Sequence, residues 1–276
     1  MTIKQAITKG MIMLKSNNVE SPKLKARLLL QYVLDKPRQY IIVYDNKEID
    51  KQQQWQYFVN IEKLTKGIPL QHITHRQEFM KMDFFVDENV LIPRPDTEIL
   101  VEKAIEICNN HGNDIKILDL CTGSGAIGIS IAKNIKNAKI YATDIKNTVI
   151  DIAKQNAKQN NVDNIEFIVS DMFENIQEKD FDIIVSNPPY IETDVIKTLP
   201  TEVRNEPIIA LDGGKDGLKF YKIILSEYKK YLKKDGYLLL EIGYNQAKSV
   251  GELINLNYSI IEDLAGNDRV IIIKGW

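Results

Sequence analysis

A chain of 276 residues with 44% hydrophobic and 27% charged residues has the composition of an ordinary globular protein, long enough for two domains and a sizeable core. Its formal net charge of −2 offers no electrostatic drive toward nucleic acid, and no run of about 18 apolar residues predicts a membrane span. Two cysteines, Cys108 and Cys121, make no disulfide framework; with no signal-peptide core and no mitochondrial presequence, the expected location is a bacterial cytoplasm.

Residues 1–73 read as a small helical domain. Ser21 before Pro22 predicts an N-cap with proline at the first helical position. Leu24, Leu28, Leu29, Tyr32 and Val33 predict the apolar face of that helix, and Trp55, Phe58, Val59 and Ile61 to Leu64 predict a second helix. His72 and His75 lie three apart, but no cysteine or carboxylate cluster with metal spacing accompanies them, so no metal site is expected. With no catalytic constellation, this part reads as a domain that docks a partner.

Residues 74–98 read as a β-hairpin and linker. Phe79, Met80, Met82, Phe84, Phe85 and Val86 predict its strands, with Asp87-Glu88-Asn89 as the turn. In Leu91-Ile92-Pro93-Arg94-Pro95-Asp96-Thr97-Glu98 the prolines hold Arg94 extended. Pro95 to Glu98 predict a helix start, with acidic residues in its first turn. Arg94 and Glu98 either order a site or clamp the hairpin.

Residues 99–276 alternate strand and helix, which predicts a parallel sheet with helices on both faces. Strands are expected at 115–120, 139–143, 165–169, 181–186, 236–242, 258–263 and 269–274, with Lys234-Asp235-Gly236 as a turn before the fifth. Only a few residues, including Ala265-Gly266-Asn267, separate the last two strands. That spacing fits a hairpin, so the final strand should run antiparallel.

Two motifs in this part carry chemistry. Asp119-Leu120-Cys121-Thr122-Gly123-Ser124-Gly125-Ala126-Ile127-Gly128 joins the first strand to a helix. Its glycines permit close backbone approach to a ligand, and the helix start offers free N–H groups. Asp144, at the end of the next strand, suits a ribose diol. After the fourth strand comes Asn187-Pro188-Pro189-Tyr190, at the sheet's carboxyl end where ligands bind in open α/β folds. The prolines stiffen the loop and leave its carbonyls free to accept. Asn187 adds an amide oxygen and Tyr190 a flat aromatic face. Together they suit a planar NH2 group whose nitrogen lone pair is aimed at an electrophile.

This set resembles the class I S-adenosylmethionine-dependent methyltransferases that act on planar nitrogens. Glu206-Pro207, Ala210-Leu211-Asp212-Gly213-Gly214-Lys215-Asp216-Gly217-Leu218 and Gly266-Asn267-Asp268-Arg269-Val270 follow in order. With Leu91 to Glu98, they make nearly the whole chain similar to the protein-glutamine N5-methyltransferase (PrmC/HemK) family, which modifies class I peptide chain release factors. The resemblance implies an α/β fold with a seven-stranded Rossmann-like sheet, last strand antiparallel, beside a helical N-terminal substrate-docking domain and a connecting β-hairpin. It implies S-adenosylmethionine as cofactor, leaving as S-adenosylhomocysteine. The implied reaction is methylation of the glutamine side-chain amide in a Gly-Gly-Gln loop, in support of translation termination.

On this resemblance Asp119, Cys121, Thr122, Gly123, Ser124 and Gly125 are expected around the methionine part of the cofactor. Asp144 is expected at the ribose, Asp171 and Met172 at the adenine, and Asn187 at both cofactor and substrate. Asn187, Pro188, Pro189 and Tyr190 would bind the substrate amide, with Asn187, Pro188 and Tyr190 catalytic through positioning. Glu202 and Glu206 are candidates to meet a basic partner. No metal, no direct nucleic-acid partner and no membrane are expected. The alternatives are an adenine-N6 or guanine-N2 nucleic-acid methyltransferase receiving a flipped base, or a non-catalytic cofactor-binding module. Three positions depart from the family pattern: Cys121 where the loop's first glycine is usual, His75 where glycine is common, and Lys25 where an acidic or other residue is frequent.

Overall fold

The computed structural model describes residues 1–110, 112 and 114–275; His111, Asn113 and Trp276, which fall within the span 99–276 above, lie outside the described residues. The chain divides into two compact units, Met1–His75 with Pro200–Asn205, and Arg76–Leu199 with Glu206–Trp276.

The first unit is built on helices α1 (Ile3–Ser16), α2 (Pro22–Leu34), α3 (Arg38–Val43), α4 (Lys51–Thr65) and α5 (Leu70–Thr74). Capping boxes start two of them: Thr2 with Gln5 on α1, and Asp50 with Gln53 on α4. Ser21 does stand before Pro22 at the start of α2, but its backbone is left-handed at φ 49° and its side chain makes no cap hydrogen bond. The buried face of α2 also differs from the one predicted. Ala26, Leu29 and Leu30 pack into the core with Leu14, Tyr57, Ile61 and Leu64, while Leu24, Leu28 and Tyr32 are exposed. Small Ala26 lets α4 approach closely, and the Tyr57 hydroxyl donates to the Ala26 carbonyl at 3.1 Å. Trp55, expected on the core face of α4, is likewise exposed.

The segment Pro200–Asn205 belongs to this helical unit although it lies deep in the later sequence. Lys25 pairs with Glu202, and Asn205 Nδ2 donates to the Gly67 carbonyl at 2.8 Å. His72 is buried on α5, and His75 ends that helix in the left-handed region at φ 53°. Among the described residues no group of histidine, cysteine and carboxylate side chains is placed to hold a metal ion.

The second unit opens with a hairpin, β1 (Gln77–Phe79) and β2 (Met82–Phe84), and continues through α6 (Glu98–Asn110). The hairpin turn is Met80-Lys81, not Asp87-Glu88-Asn89: Phe79 pairs with Met82, and both turn residues have positive φ, 50° and 60°. Such a two-residue connection matches the twist of its strands. Glu98, at the start of α6, accepts the Met80 N–H at 2.6 Å, so it clamps the hairpin. Asp87 accepts from Asn89 and Val90 in a separate turn further on.

The main sheet contains β3 (Ile115–Leu120), β4 (Ala138–Asp144), β5 (Ile165–Val169), β6 (Phe181–Ser186), β7 (Leu232–Glu241), β8 (Tyr258–Glu262) and β9 (Asp268–Lys274). Their spatial order is β5-β4-β3-β6-β7-β9-β8. The pairings from β5 across to β7 are parallel, whereas β9 runs antiparallel between β7 and β8. The antiparallel final strand is therefore as predicted. Central strands are buried on both faces, which is why they read as continuous apolar runs. Lys234-Asp235-Gly236 is not a turn: β7 begins at Leu232, and a register shift against Phe181 to Ile183 absorbs the polar residues. Helices α7 (Ala126–Asn134) and α8 (Asn147–Gln159) connect β3 to β4 and β4 to β5. No helix among the described residues is long and apolar enough to cross a membrane.

Candidate active site

A cavity opens at the carboxyl ends of β3, β4 and β6, and its walls include Cys121, Gly123, Asp144, Asp171, Met172, Asn187 and Pro189. Leu91, Val149, Ile209 and Phe220 add apolar walls that sequence reasoning missed; Lys146 and Lys219 add cations. Their only advance signal was proximity to motifs, Leu91 heading the Ile-Pro-Arg-Pro stretch and Lys219-Phe220 following the Gly213-Gly214 loop.

The glycine loop is built from behind. Asp119 is fully buried at the end of β3, and its Oδ2 accepts from the Thr122 hydroxyl at 2.6 Å and the Gly128 N–H at 2.9 Å. Burial pushes its carboxyl up to about 7, against those two hydrogen bonds. Asp119, Thr122, Ser124 and Gly125 lie outside the cavity wall, and the side chains of Asp119, Thr122 and Ser124 are buried. Asn156 of α8 ties the loop to the hairpin exit by donating to the carbonyls of Ser124, at 2.9 Å, and Phe85, at 3.0 Å.

Cys121 takes the left-handed conformation at φ 60°, the backbone state for which glycine is best suited. The local turn is therefore kept despite the substitution. Its half-buried thiol sits 3.8 Å from the Met172 sulfur, and burial raises its pKa, so it is an inert lining group rather than a thiolate.

Asp144 closes the opposite side of the loop. Its Oδ2 accepts the Gly123 N–H at 3.0 Å and its Oδ1 the Ile145 N–H at 2.8 Å, and burial raises its pKa. Each carboxylate oxygen retains acceptor capacity for a ligand hydroxyl. A Cβ built on Gly123 would meet nothing within 4 Å, so at this point the loop backbone borders open space. An exposed loop backbone, a strand-end carboxylate and apolar Met172 and Val149 fit an adenosyl cofactor with a short charged tail.

At the end of β6, Asn187 Nδ2 donates to the Thr97 hydroxyl at 3.3 Å. Pro188 and Tyr190 are not in the cavity wall; Tyr190 instead anchors the loop, its carbonyl accepting from Gln246 Nε2 at 2.9 Å. Burial raises the Tyr190 hydroxyl, and the nearby Glu241 carboxylate adds to the rise. Glu241, Thr97 and Gln246 were not singled out from sequence, because distant segments bring them beneath the loop. Glu202 and Glu206 are not free for a basic partner. Glu206 is buried, paired with Arg94 and accepting the Ile92 N–H at 3.0 Å, which pins the Ile-Pro-Arg-Pro stretch.

Comparison with known proteins places this geometry in a family. Residues 5–74 match the PrmC N-terminal domain and residues 96–206 the methyltransferase small domain. The release factor glutamine methyltransferase of Clostridium acetobutylicum is 43% identical over 99% of this chain and 98% of its own length. That of Clostridium botulinum is 40% identical over 98% of each. A solved methyltransferase from Pyrococcus furiosus shares the fold at 20% identity and a TM-score of 0.53, over 82% of this chain and 98% of that one. With identity of this order along nearly its whole length, the chain belongs to the release factor glutamine methyltransferase family.

Proposed function

We propose that this enzyme transfers a methyl group to the side-chain amide nitrogen of the glutamine in the Gly-Gly-Gln loop of class I peptide chain release factors. S-adenosylmethionine, when bound, supplies the electrophilic methyl on its sulfonium and leaves as S-adenosylhomocysteine. Asp144 would hold the ribose hydroxyls, the backbone at Cys121 and Gly123 the methionine part, and Asp171 and Met172 the adenine edge. The helical unit, 1–73 in the sequence reading, would dock the release factor, and the cytoplasm is the compartment where both partners meet.

The observation that carries this reading is the Asn187 carboxamide in the same cavity wall as Asp144, with its NH2 end held by Thr97. That arrangement leaves the Asn187 oxygen to accept from a substrate NH2; Pro188 itself is outside the wall, but its carbonyl, between the wall residues Asn187 and Pro189, would take the second hydrogen as the substrate enters. An amide nitrogen is a poor nucleophile because its lone pair is shared with the carbonyl. Acceptors on both hydrogens favour the positive charge that develops on nitrogen, and they orient its lone pair for in-line attack. No strong base is needed, since the proton becomes acidic once the nitrogen carries the methyl group. Catalysis then rests on positioning.

The test uses methyl-labelled S-adenosylmethionine with an unmodified release factor, beside a Gln→Ala version of its Gly-Gly-Gln loop. Label entering only the glutamine-containing protein supports both reaction and site. Label entering DNA or RNA, with none in either protein, overturns the substrate assignment.

A further inference from the structure

Directly beneath Asn187 lies a buried carboxylate that the reaction as described does not use. Glu241 ends β7 at 1% exposure, and its Oε2 has no hydrogen-bond partner among the described residues. Ser186 pairs with Leu240, so Asn187 and Glu241 follow side by side at the ends of β6 and β7, and the polar groups of Thr97 and Asn187 both act to lower the pKa of this carboxylate. The carboxylate makes no salt bridge among the described residues: Arg269, the nearby cation, spends its Nη2 on Asp263 at 2.8 Å and Asp96 at 3.2 Å. Glu241 is also held firmly in place, since the Tyr221 hydroxyl donates to its backbone carbonyl at 2.9 Å.

The hydrogen-bond logic has one consistent solution. A carboxylate only accepts, so the single proton of the Thr97 hydroxyl goes to Glu241. A hydroxyl whose proton is committed can only accept from Asn187, which must then present its NH2 end inward. The carbonyl oxygen is left facing the cavity. A carboxamide with no such constraint has two orientations of similar shape, and the reversed one would offer a donor to a substrate group that itself only donates.

We propose that Glu241 is a positioning residue which, through Thr97, fixes the Asn187 carboxamide with its oxygen toward the substrate amide. This deepens the reading above and rests on it for the identity of the substrate. Burial raises the Glu241 carboxyl to about 7, with Asp96 adding to the rise and Arg269 opposing it. Tyr190 and Tyr221 also face it, both hydroxyls being raised by their own burial. When Glu241 takes a proton it can donate to Thr97. The hydroxyl proton is then free to point at Asn187, and the relay no longer selects one carboxamide orientation. Activity should therefore have an acidic limb near neutrality that belongs to Glu241.

The test compares wild type with Glu241→Gln, Thr97→Val and Thr97→Ser. The kcat and KM for release factor, the cofactor Kd and the pH profile are measured for each. The Asn187 side-chain NH2 resonances, assigned by their loss in Asn187→Asp, are followed against pH in the substrate-free protein. Glu241→Gln and Thr97→Val should lower kcat about 10- to 100-fold, the cost of a displaced reacting group, with KM and cofactor Kd within about twofold. Glu241→Gln should abolish the acidic limb and the pH-dependent shift of the Asn187 signals, and Thr97→Ser should restore most of what Thr97→Val loses. An Asn187 signal that ignores pH in wild type and is unmoved by Glu241→Gln would overturn the relay. So would loss of cofactor binding in parallel with kcat, which marks a merely structural role. The NMR arm needs no substrate, so failure of the methylation reading leaves the relay separately decided.

Discussion

At Asn187 the side-chain oxygen is the atom on which turnover depends, and its neighbours explain why. Asn187→Ala removes an acceptor from the developing charge while leaving Asp144 and the glycine loop intact. The kcat should fall about 100-fold or more, in the range seen when one preorganised hydrogen-bonding group is lost. Calorimetric titration with S-adenosylmethionine should show a much smaller change in Kd; equal losses in both would sink the assigned role. A second residue-scale prediction concerns His75, which closes α5 at φ 53°. Glycine has no Cβ penalty in this region, so His75→Gly should stabilise the helical unit by about 0.5–1 kcal/mol. Urea denaturation followed by circular dichroism would show no gain if the imidazole's own interactions outweigh the relief of strain. Asn187 and Asp144 were legible because each ends a strand inside a contiguous motif. Thr97 and Glu241 were not: Thr97 lies 90 residues from Asn187, and neither stands out until the fold brings them together.

Among elements, the hairpin β1–β2 shows what a sequence pattern conceals. Met80-Lys81 carries none of the glycine or asparagine that usually marks a two-residue turn, whereas the polar Asp87-Glu88-Asn89 carries the stronger local turn signal. Tertiary structure supplies what local preference lacks, through the Glu98 carboxylate on the Met80 N–H. The same carboxylate stands in the first turn of α6, where negative charge is favoured. Glu98→Ala should cost about 1–3 kcal/mol, the value of a charged hydrogen bond. Amide exchange at Met80 and Lys81 should accelerate ahead of exchange in β3 and β6. Uniform protection across all of these would argue that the turn holds without its clamp. The parallel strands were easier to read, since burial on both faces writes itself as an unbroken apolar run. Helix α2 was harder: its exposed Leu24, Leu28 and Tyr32 imitate a core stripe, and only the packing of Ala26 under Tyr57 reveals which side is inside.

Over the whole molecule, buried carboxyls set how stability responds to pH. Burial raises Asp119 and Glu241 each to about 7, from ordinary values of 3.8 and 4.5. Between those ordinary values and about 7 the folded protein binds more protons at these two sites than the unfolded chain does. Stability therefore falls as pH rises through that window and levels off above it. Asp263 acts in the opposite sense: its hydrogen bond from Arg269 holds it below the ordinary carboxylate value, so its contribution is present above about 4 and lost on further acidification. The two effects together place the stability maximum on the mildly acidic side. Moving from pH 8 to pH 5.5 should raise stability by on the order of 2 kcal/mol per buried carboxyl, since each unit of separation is about 1.4 kcal/mol. Urea midpoints of the ligand-free protein at the two pH values test this directly. Glu241→Gln has no titrating group at this site, so it should flatten the slope by roughly half and gain stability at pH 8. A midpoint that climbs toward pH 8 in wild type would mean that Asp119 and Glu241 are ionised in the fold without penalty. The Thr97 hydroxyl would then face a permanent carboxylate, and the acidic limb of activity would have to arise from another group.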